Sequence, residues 1–199
     1  MEPELWLEHW PKLQVEPGAL VFVPLCGKTL DLIWLVSQGF RVLGVEISPI
    51  AVEAVFSEQG LTPTVTEMPS FRLYQADALT LLCGDYFDLA PHHLEGVTAV
   101  FDRASLIALP PEMRVRYARQ MEQLFPCAVK TLLITLSYDQ AQMSGPPFAV
   151  LPAEVERLYG GRYRIEELAS FDALEESPQI RKRGVTALLE QVYRLSPAV

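Results

Sequence analysis

Cysteine is scarce: Cys26, Cys83 and Cys127 are the three in 199 residues. An odd number excludes complete pairing, and none stands in a CxxC or Cys/His spacing, so neither a disulfide framework nor a zinc site is expected. Histidine is equally sparse. His9, His92 and His93 show no metal-ligand spacing, the adjacent pair reads as a surface loop, and no metal is expected. Basic residues are few and scattered, 16 Lys and Arg against 25 Asp and Glu, with one cluster at Arg181-Lys182-Arg183 and a formal net charge of −9. Binding a phosphate backbone needs a concentrated basic face, so nucleic acid is excluded as a partner and a small-molecule substrate is expected. Long hydrophobic runs are absent too: none approaches the ~18 residues of a membrane span. Met1-Glu2-Pro3-Glu4-Leu5-Trp6 lacks a basic segment followed by an apolar stretch. No export or membrane insertion is expected, and the thiols read as reduced in a cytoplasm. Nothing in the chain demands a dimer, so a monomer is expected.

Hydrophobic residues make up 50% and charged residues 21%. This is a globular composition, and the length suits a single domain over 1–199 with a three-layer core. Ala19 to Val23 is a short apolar run entered through Pro17-Gly18 and closed by Pro24, the pattern of a buried strand. Thr29 to Gln38 places Leu30, Ile33 and Trp34 on one helical face, with Gly39 as a stop. Arg41 to Ile47 repeats the strand pattern, and Ser48-Pro49 supplies an N-cap with Pro at the first position of a helix running to Gln59. Two apolar strands joined by a helix predict a right-handed crossover in a parallel sheet. Phe71 to Gln75 and Val97 to Phe101 read as further strands, Leu79 to Leu89 as a turn, Pro110 to Leu124 as a helix and Thr131 to Tyr138 as a strand. Beyond the rigid Ser144-Gly145-Pro146-Pro147-Phe148 loop, Pro152 to Tyr159 is a short helix. Tyr163 to Ala169 and Val185 to Leu195 are two strands without a helix between them. The expected fold is α/β, doubly wound, with a mostly parallel seven-stranded sheet and a C-terminal antiparallel hairpin.

In such a sheet ligands bind beyond the carboxyl ends of the strands. The first loop there is Pro24-Leu25-Cys26-Gly27-Lys28, whose single glycine admits a ligand to the backbone. Glu46 ends the second strand, where a carboxylate can accept the ribose hydroxyls of an adenosine. A phosphate-cradling GxxxxGK[ST] loop fails because Phe22 stands in place of its first glycine, and a GxGxxG dinucleotide loop fails because only one glycine is present. A cofactor without phosphates fits better. Asp85 reads equally as a turn aspartate or as a partner for an adenine amino group. Arg103, after Phe101-Asp102, stands at the rim of the predicted cleft. Trp6 and Trp10 share a face if their segment is helical, as a packing staple or as ligand contacts.

These blocks resemble the bacterial thiopurine S-methyltransferases. The resemblance runs from about Trp6 to Leu195, through Val23-Pro24-Leu25-Cys26-Gly27-Lys28, Gly44-Val45-Glu46-Ile47-Ser48, Phe101-Asp102-Arg103-Ala104, Leu133-Ile134-Thr135-Leu136, Gly145-Pro146-Pro147-Phe148 and Glu154-Val155-Glu156-Arg157-Leu158. It implies a Rossmann-like class I methyltransferase using S-adenosylmethionine. It also implies cofactor contacts from Trp10, Leu25, Glu46 and Arg103, with Cys26, Gly27, Gly84 and Asp85 as neighbours. The expected reaction is transfer of the methyl group to the sulfur of a thiopurine or another aromatic or heterocyclic thiol. Selenium or tellurium compounds, and hence tellurite detoxification, are a further expectation. Arg103 is expected to favour the substrate thiolate, and Arg181 is the C-terminal candidate for the same task. The chain departs from longer family members in running almost directly from Trp10 to Pro17-Gly18, which implies a shorter lid over the substrate. A nicotinamide-dependent oxidoreductase and a non-catalytic small-molecule binding protein on the same kind of fold are the rival readings.

Overall fold

Pro17-Gly18 turns the chain into its first strand, with Gly18 at φ 76° and Ala19 N–H donating back to Glu16 O. In this computed structural model, which describes residues 5–198 and side chains from Glu8 onward, the chain divides into two compact units. Among the described residues the first comprises 15–101 with 123–129, the second 5–14 with 102–122 and 130–198. The Trp6 side of the expected tryptophan pair lies outside the described side chains.

The first unit is built as strand β1 (Leu20–Val23), helix α1 (Asp31–Ser37), β2 (Arg41–Glu46), α2 (Pro49–Glu58), β3 (Thr64–Met68), β4 (Phe71–Ala76), β5 (Leu79–Cys83) and β6 (Val97–Asp102). Its strand order is β3-β4-β5-β2-β1-β6. The pairs β1–β2, β1–β6 and β2–β5 are parallel, whereas β3–β4 and β4–β5 are antiparallel. The parallel strands are buried on both faces, as Val21, Phe22, Val42, Val45, Leu81 and Val100 show. Ser48 caps α2, its side chain accepting from Ala51 N–H with Pro49 following, as the sequence predicts.

Two strands exceed the seven expected. Leu79–Cys83 is a strand pairing with β2, not a turn: the turn residues Gly84 and Asp85 only close it, while Leu79, Leu81 and Leu82 pack in the core. Thr64–Met68 is an edge strand whose first four residues are exposed, so no buried face marked it in the sequence. It makes β4 antiparallel to both neighbours, because a short connection on either side returns the chain alongside itself.

The second unit contains α3 (Ser105–Ala108), α4 (Pro111–Leu124), β7 (Lys130–Ser137), α5 (Pro152–Tyr159), β8 (Tyr163–Asp172), α6 (Pro178–Lys182) and β9 (Leu189–Pro197), preceded by a 3-10 helix over Leu5–Leu13. The order is β7-β9-β8 with both pairs antiparallel, which bears out the C-terminal hairpin. Its last strand starts at Leu189 rather than Val185, and a short helix, α6, stands between the two strands. Val185 and Leu188 are spent instead on a core cluster with Leu136, Tyr138, Met143, Ala149 and Ala173. Among the described residues no helix is long and apolar enough to cross a membrane.

Candidate active site

The carboxyl ends of β1, β2 and β5 are neighbours, and backbone hydrogen bonds tie the loops that leave them. Cys26 N–H donates to Val45 O at 3.0 Å and Gly84 N–H to Glu46 O at 3.0 Å. Both Leu25 and Gly27 are left-handed, at φ 44° and 53°. For a non-glycine residue that backbone costs about 1–2 kcal/mol, a strain that persists where surroundings impose it and that clusters at ligand sites. A Cβ on Gly27 would meet no atom within 4 Å, so the space over the loop is open.

Glu46 turns inward to this loop. Its Oε2 accepts from Gly27 N–H at 2.9 Å and its Oε1 from Ser48 N–H at 2.8 Å, so two backbone donors orient the carboxylate. Each oxygen keeps accepting capacity for another hydroxyl. The same arrangement disfavours phosphate, because an anion occupies the amide that a phosphate would need. Lys28 is drawn away as well, pairing with Glu58 at 2.7 Å on the surface. The residues present therefore fit a ribose-bearing cofactor whose remaining groups are not phosphates.

Cys26 is 6% exposed, and burial, followed by the nearby Glu46 charge, pushes its thiol well above the usual range. A thiol so buried and so shifted is not a nucleophile. Cys83, opposite Glu46 in the strand pairing, is also shifted up by burial. Gly44 escaped the sequence reading. A Cβ there would stand 2.6 Å from Leu81 Cδ2 and 2.9 Å from Cys26 Sγ, so the glycine lets Cys26 sit down on β2. The signal was its position inside a strand, where glycine marks a close approach. Gly84 is likewise sterically required, since a Cβ would lie 2.6 Å from Ser70 O and 2.5 Å from the Phe71 ring. Asp85 caps the short 3-10 helix Tyr86–Asp88, its Oδ1 accepting from Phe87 N–H at 2.9 Å. The turn reading of Asp85 is thus satisfied by geometry.

The structure brings Leu25, Cys26, Gly27, Glu46, Gly84 and Asp85 to one end of the first unit's sheet. Trp10, Arg103 and Arg181 belong to the second unit. Trp10 is buried in the 3-10 helix, and Arg103 is half-buried between Asp102 and α3. Arg181, 58% exposed, is paired with both oxygens of Glu175 at 3.0 and 2.9 Å. Among the described residues no group of three or more His, Cys, Asp or Glu side chains is arranged to hold a metal ion. A separate cavity of about 370 Å³ is lined by the amino-terminal residues Leu20 and Arg41, with Leu43, Leu82, His92 and His93, and by none of the loop residues above.

Known proteins share both the sequence and the fold. The family model described as thiopurine S-methyltransferase matches residues 2–198. A thiopurine S-methyltransferase of Nitrosospira multiformis is 54% identical over 94% of this chain and 85% of its own, and one of Methylococcus capsulatus is 45% identical over 98% and 97%. Among solved structures, a S-adenosylmethionine-dependent methyltransferase of Methanosarcina mazei superposes with a TM-score of 0.68 at 10% identity, covering 98% of this chain and 99% of that one. A phosphoethanolamine N-methyltransferase of Haemonchus contortus, in complex with S-adenosyl-L-methionine, gives 0.63 at 12% identity over 96% and 52%. The structural likenesses establish a Rossmann-like methyltransferase fold. The sequence matches go further, and by them the chain belongs to the thiopurine S-methyltransferase family.

Proposed function

We propose that this chain transfers the methyl group of S-adenosylmethionine to the sulfur of a thiopurine or another aromatic or heterocyclic thiol, acting as a monomeric single-domain enzyme. The observation that carries the cofactor half is the Glu46 carboxylate, oriented by Gly27 N–H and Ser48 N–H beside an open glycine loop. Glu46 holds the ribose hydroxyls, Leu25, Cys26 and Gly27 line the cofactor, and Gly84 and Asp85 flank it. Capping leaves the Asp85 carboxylate with further lone pairs for an adenine amino group. Trp10 and Arg103 take their cofactor contacts from the family resemblance, and the names of the relatives support the thiopurine acceptor.

When bound, S-adenosylmethionine supplies a methyl group already activated by a positively charged sulfur. The protein's residues then need little acid–base work. Their task is to hold the acceptor in line and exclude water, and such alignment supplies up to ~7–11 kcal/mol of a barrier. A thiol attacks best as thiolate, which a guanidinium beside it favours. Arg103 has that role here, and Arg181 must first leave Glu175, an exposed pair held by ~1 kcal/mol or less.

The test is transfer of labelled methyl from S-adenosylmethionine to a panel of acceptors, read by mass spectrometry. The panel contains thiopurines, simple aromatic thiols, and selenium and tellurium oxyanions. Methylated thioether is the expected product. Binding of the cofactor without transfer to any acceptor sinks the enzymatic reading and leaves a binding protein, and binding of NADH in its place leaves an oxidoreductase.

A further inference from the structure

Helix α4 carries two buried polar side chains one turn apart, Arg114 and Tyr117, exposed by 1% and 0%. An arginine at the head of a core stripe continued by Ala118, Met121 and Leu124 demands partners. Arg114 Nε donates to Leu106 O at 3.0 Å, within α3, and to Leu109 O at 2.9 Å, just past its end. Its Nη1 donates to Glu154 Oε2 at 2.7 Å, at the start of α5, and its guanidinium lies 5.8 Å from the centre of the Phe148 ring. Phe148 N–H in turn donates to Ile107 O in α3. Tyr117 donates its hydroxyl to Asp102 Oδ2 at 2.7 Å, and Asp102 is otherwise buried, with Ser105 as its further hydrogen-bond partner.

These contacts converge on two features. Asp102 and Ser105 bracket Arg103 in the chain, and Ser105–Ala108 form the helix that follows it. The Gly145–Phe148 loop is pinned at Phe148 by Arg114 and α3, at Pro147 O by the Tyr138 hydroxyl (2.6 Å), and at Pro146 O by Arg183 Nη1 (2.7 Å). One helix face thereby fixes the segment carrying Arg103 and the loop packed next to that segment.

Resting on the methyl-transfer reading above, we propose that Tyr117 and Arg114 are positioning residues for the methyl acceptor: through Asp102 and α3 they set the segment that carries Arg103, with the Gly145–Phe148 loop braced against it. Neither touches a reacting atom. Their contribution is to the acceptor's binding and alignment, and a displacement of about 1 Å from a distant substitution lowers kcat/KM by up to ~100-fold.

The decisive variant is Tyr117→Phe, which removes one hydroxyl and keeps the ring. Acceptor KM and kcat are measured at saturating S-adenosylmethionine with whichever thiol the wild type methylates, and cofactor Kd by calorimetry. The expected result is a rise of ~10-fold or more in acceptor KM, with a smaller rise in cofactor Kd, to which Arg103 also contributes. A purely structural role lowers the amount of active enzyme, and so kcat, without moving KM. Tyr74→Phe, which deletes the hydroxyl of a buried tyrosine in the first unit, controls for that loss and leaves KM unchanged. If Tyr117→Phe does not fold, Glu154→Gln, which keeps an oxygen for Arg114, is read in the same way. An unmoved KM, or a cofactor Kd that weakens as much as KM rises, overturns the positioning role. Wild-type enzyme that methylates no thiol overturns the functional reading instead.

Discussion

Both oxygens of Glu46 accept from backbone amides, so the carboxylate is aimed by atoms that no side-chain substitution elsewhere removes. Glu46→Gln keeps the shape but loses the charge and turns one acceptor into a donor facing an N–H. A charge-assisted hydrogen bond contributes about 1.5–3 kcal/mol, so S-adenosylmethionine affinity by calorimetry falls ~10–100-fold. Retained affinity removes Glu46 from the cofactor site. Cys26 sets a second expectation, of opposite character because it is buried and unused. Its thiol titrates above the ordinary value of 9.0, so the folded state holds the proton more tightly than the unfolded chain. The stabilisation is therefore fully present below pH 9 and is lost as pH rises toward the folded value. Tyr193, pushed up to about 12 by burial and the Glu167 charge, adds the same sign of dependence above its ordinary 10.0. Wild-type urea midpoints thus fall with pH above 9, and Cys26→Ala, though less stable at neutral pH, shows the shallower fall between pH 9 and 10.

At the scale of elements, Ser48 separates folding from binding. Its side chain caps α2, while its backbone N–H serves Glu46. Ser48→Ala removes the cap and keeps the N–H, so unfolding free energy falls by ~0.5–2 kcal/mol while cofactor affinity stays near wild type. Parallel loss of both in denaturation and calorimetry would show that the cap itself orients the carboxylate. That cap, the loop 24–28 and Glu46 were legible in the sequence because each is a local pattern: an apolar run, a stop, a glycine or an acid at a strand end. Leu79–Cys83 was not, because the Cys83-Gly84-Asp85 turn signal overshadowed a five-residue segment of which only Thr80 is polar. Thr64–Met68 was not, because an exposed edge strand is held by cross-strand pairing alone. Arg114 reads as one more solvated arginine beside Arg116 and Arg119. It shares the spacing of Tyr117, Ala118 and Met121, and only that coincidence with the buried stripe marks it, since Glu154 and Phe148 reach it from far along the chain.

For the whole molecule, the family pattern spans 2–198 and so includes both compact units. The units carry separate reporters: Trp34 is in the first and Trp10 in the second. A ligand that binds only the folded state stabilises it by about 2.7 kcal/mol at a hundred times its Kd. For a protein of this length each kcal/mol raises the melting temperature by roughly 2–4 °C, so S-adenosylmethionine at that excess raises Tm by about 5–11 °C. If the chain is one domain, far-ultraviolet circular dichroism and tryptophan fluorescence report a single coincident transition, and the cofactor moves it as a whole although Glu46 and its loop belong to the first unit. Two separable transitions, of which the cofactor moves one, would instead make the units independent and confine binding to the first. NADH at equal concentration leaves the transition where it was, because the carboxylate that occupies the Gly27 amide opposes a pyrophosphate there. A shift with NADH and none with S-adenosylmethionine would reverse the assignment of the loop.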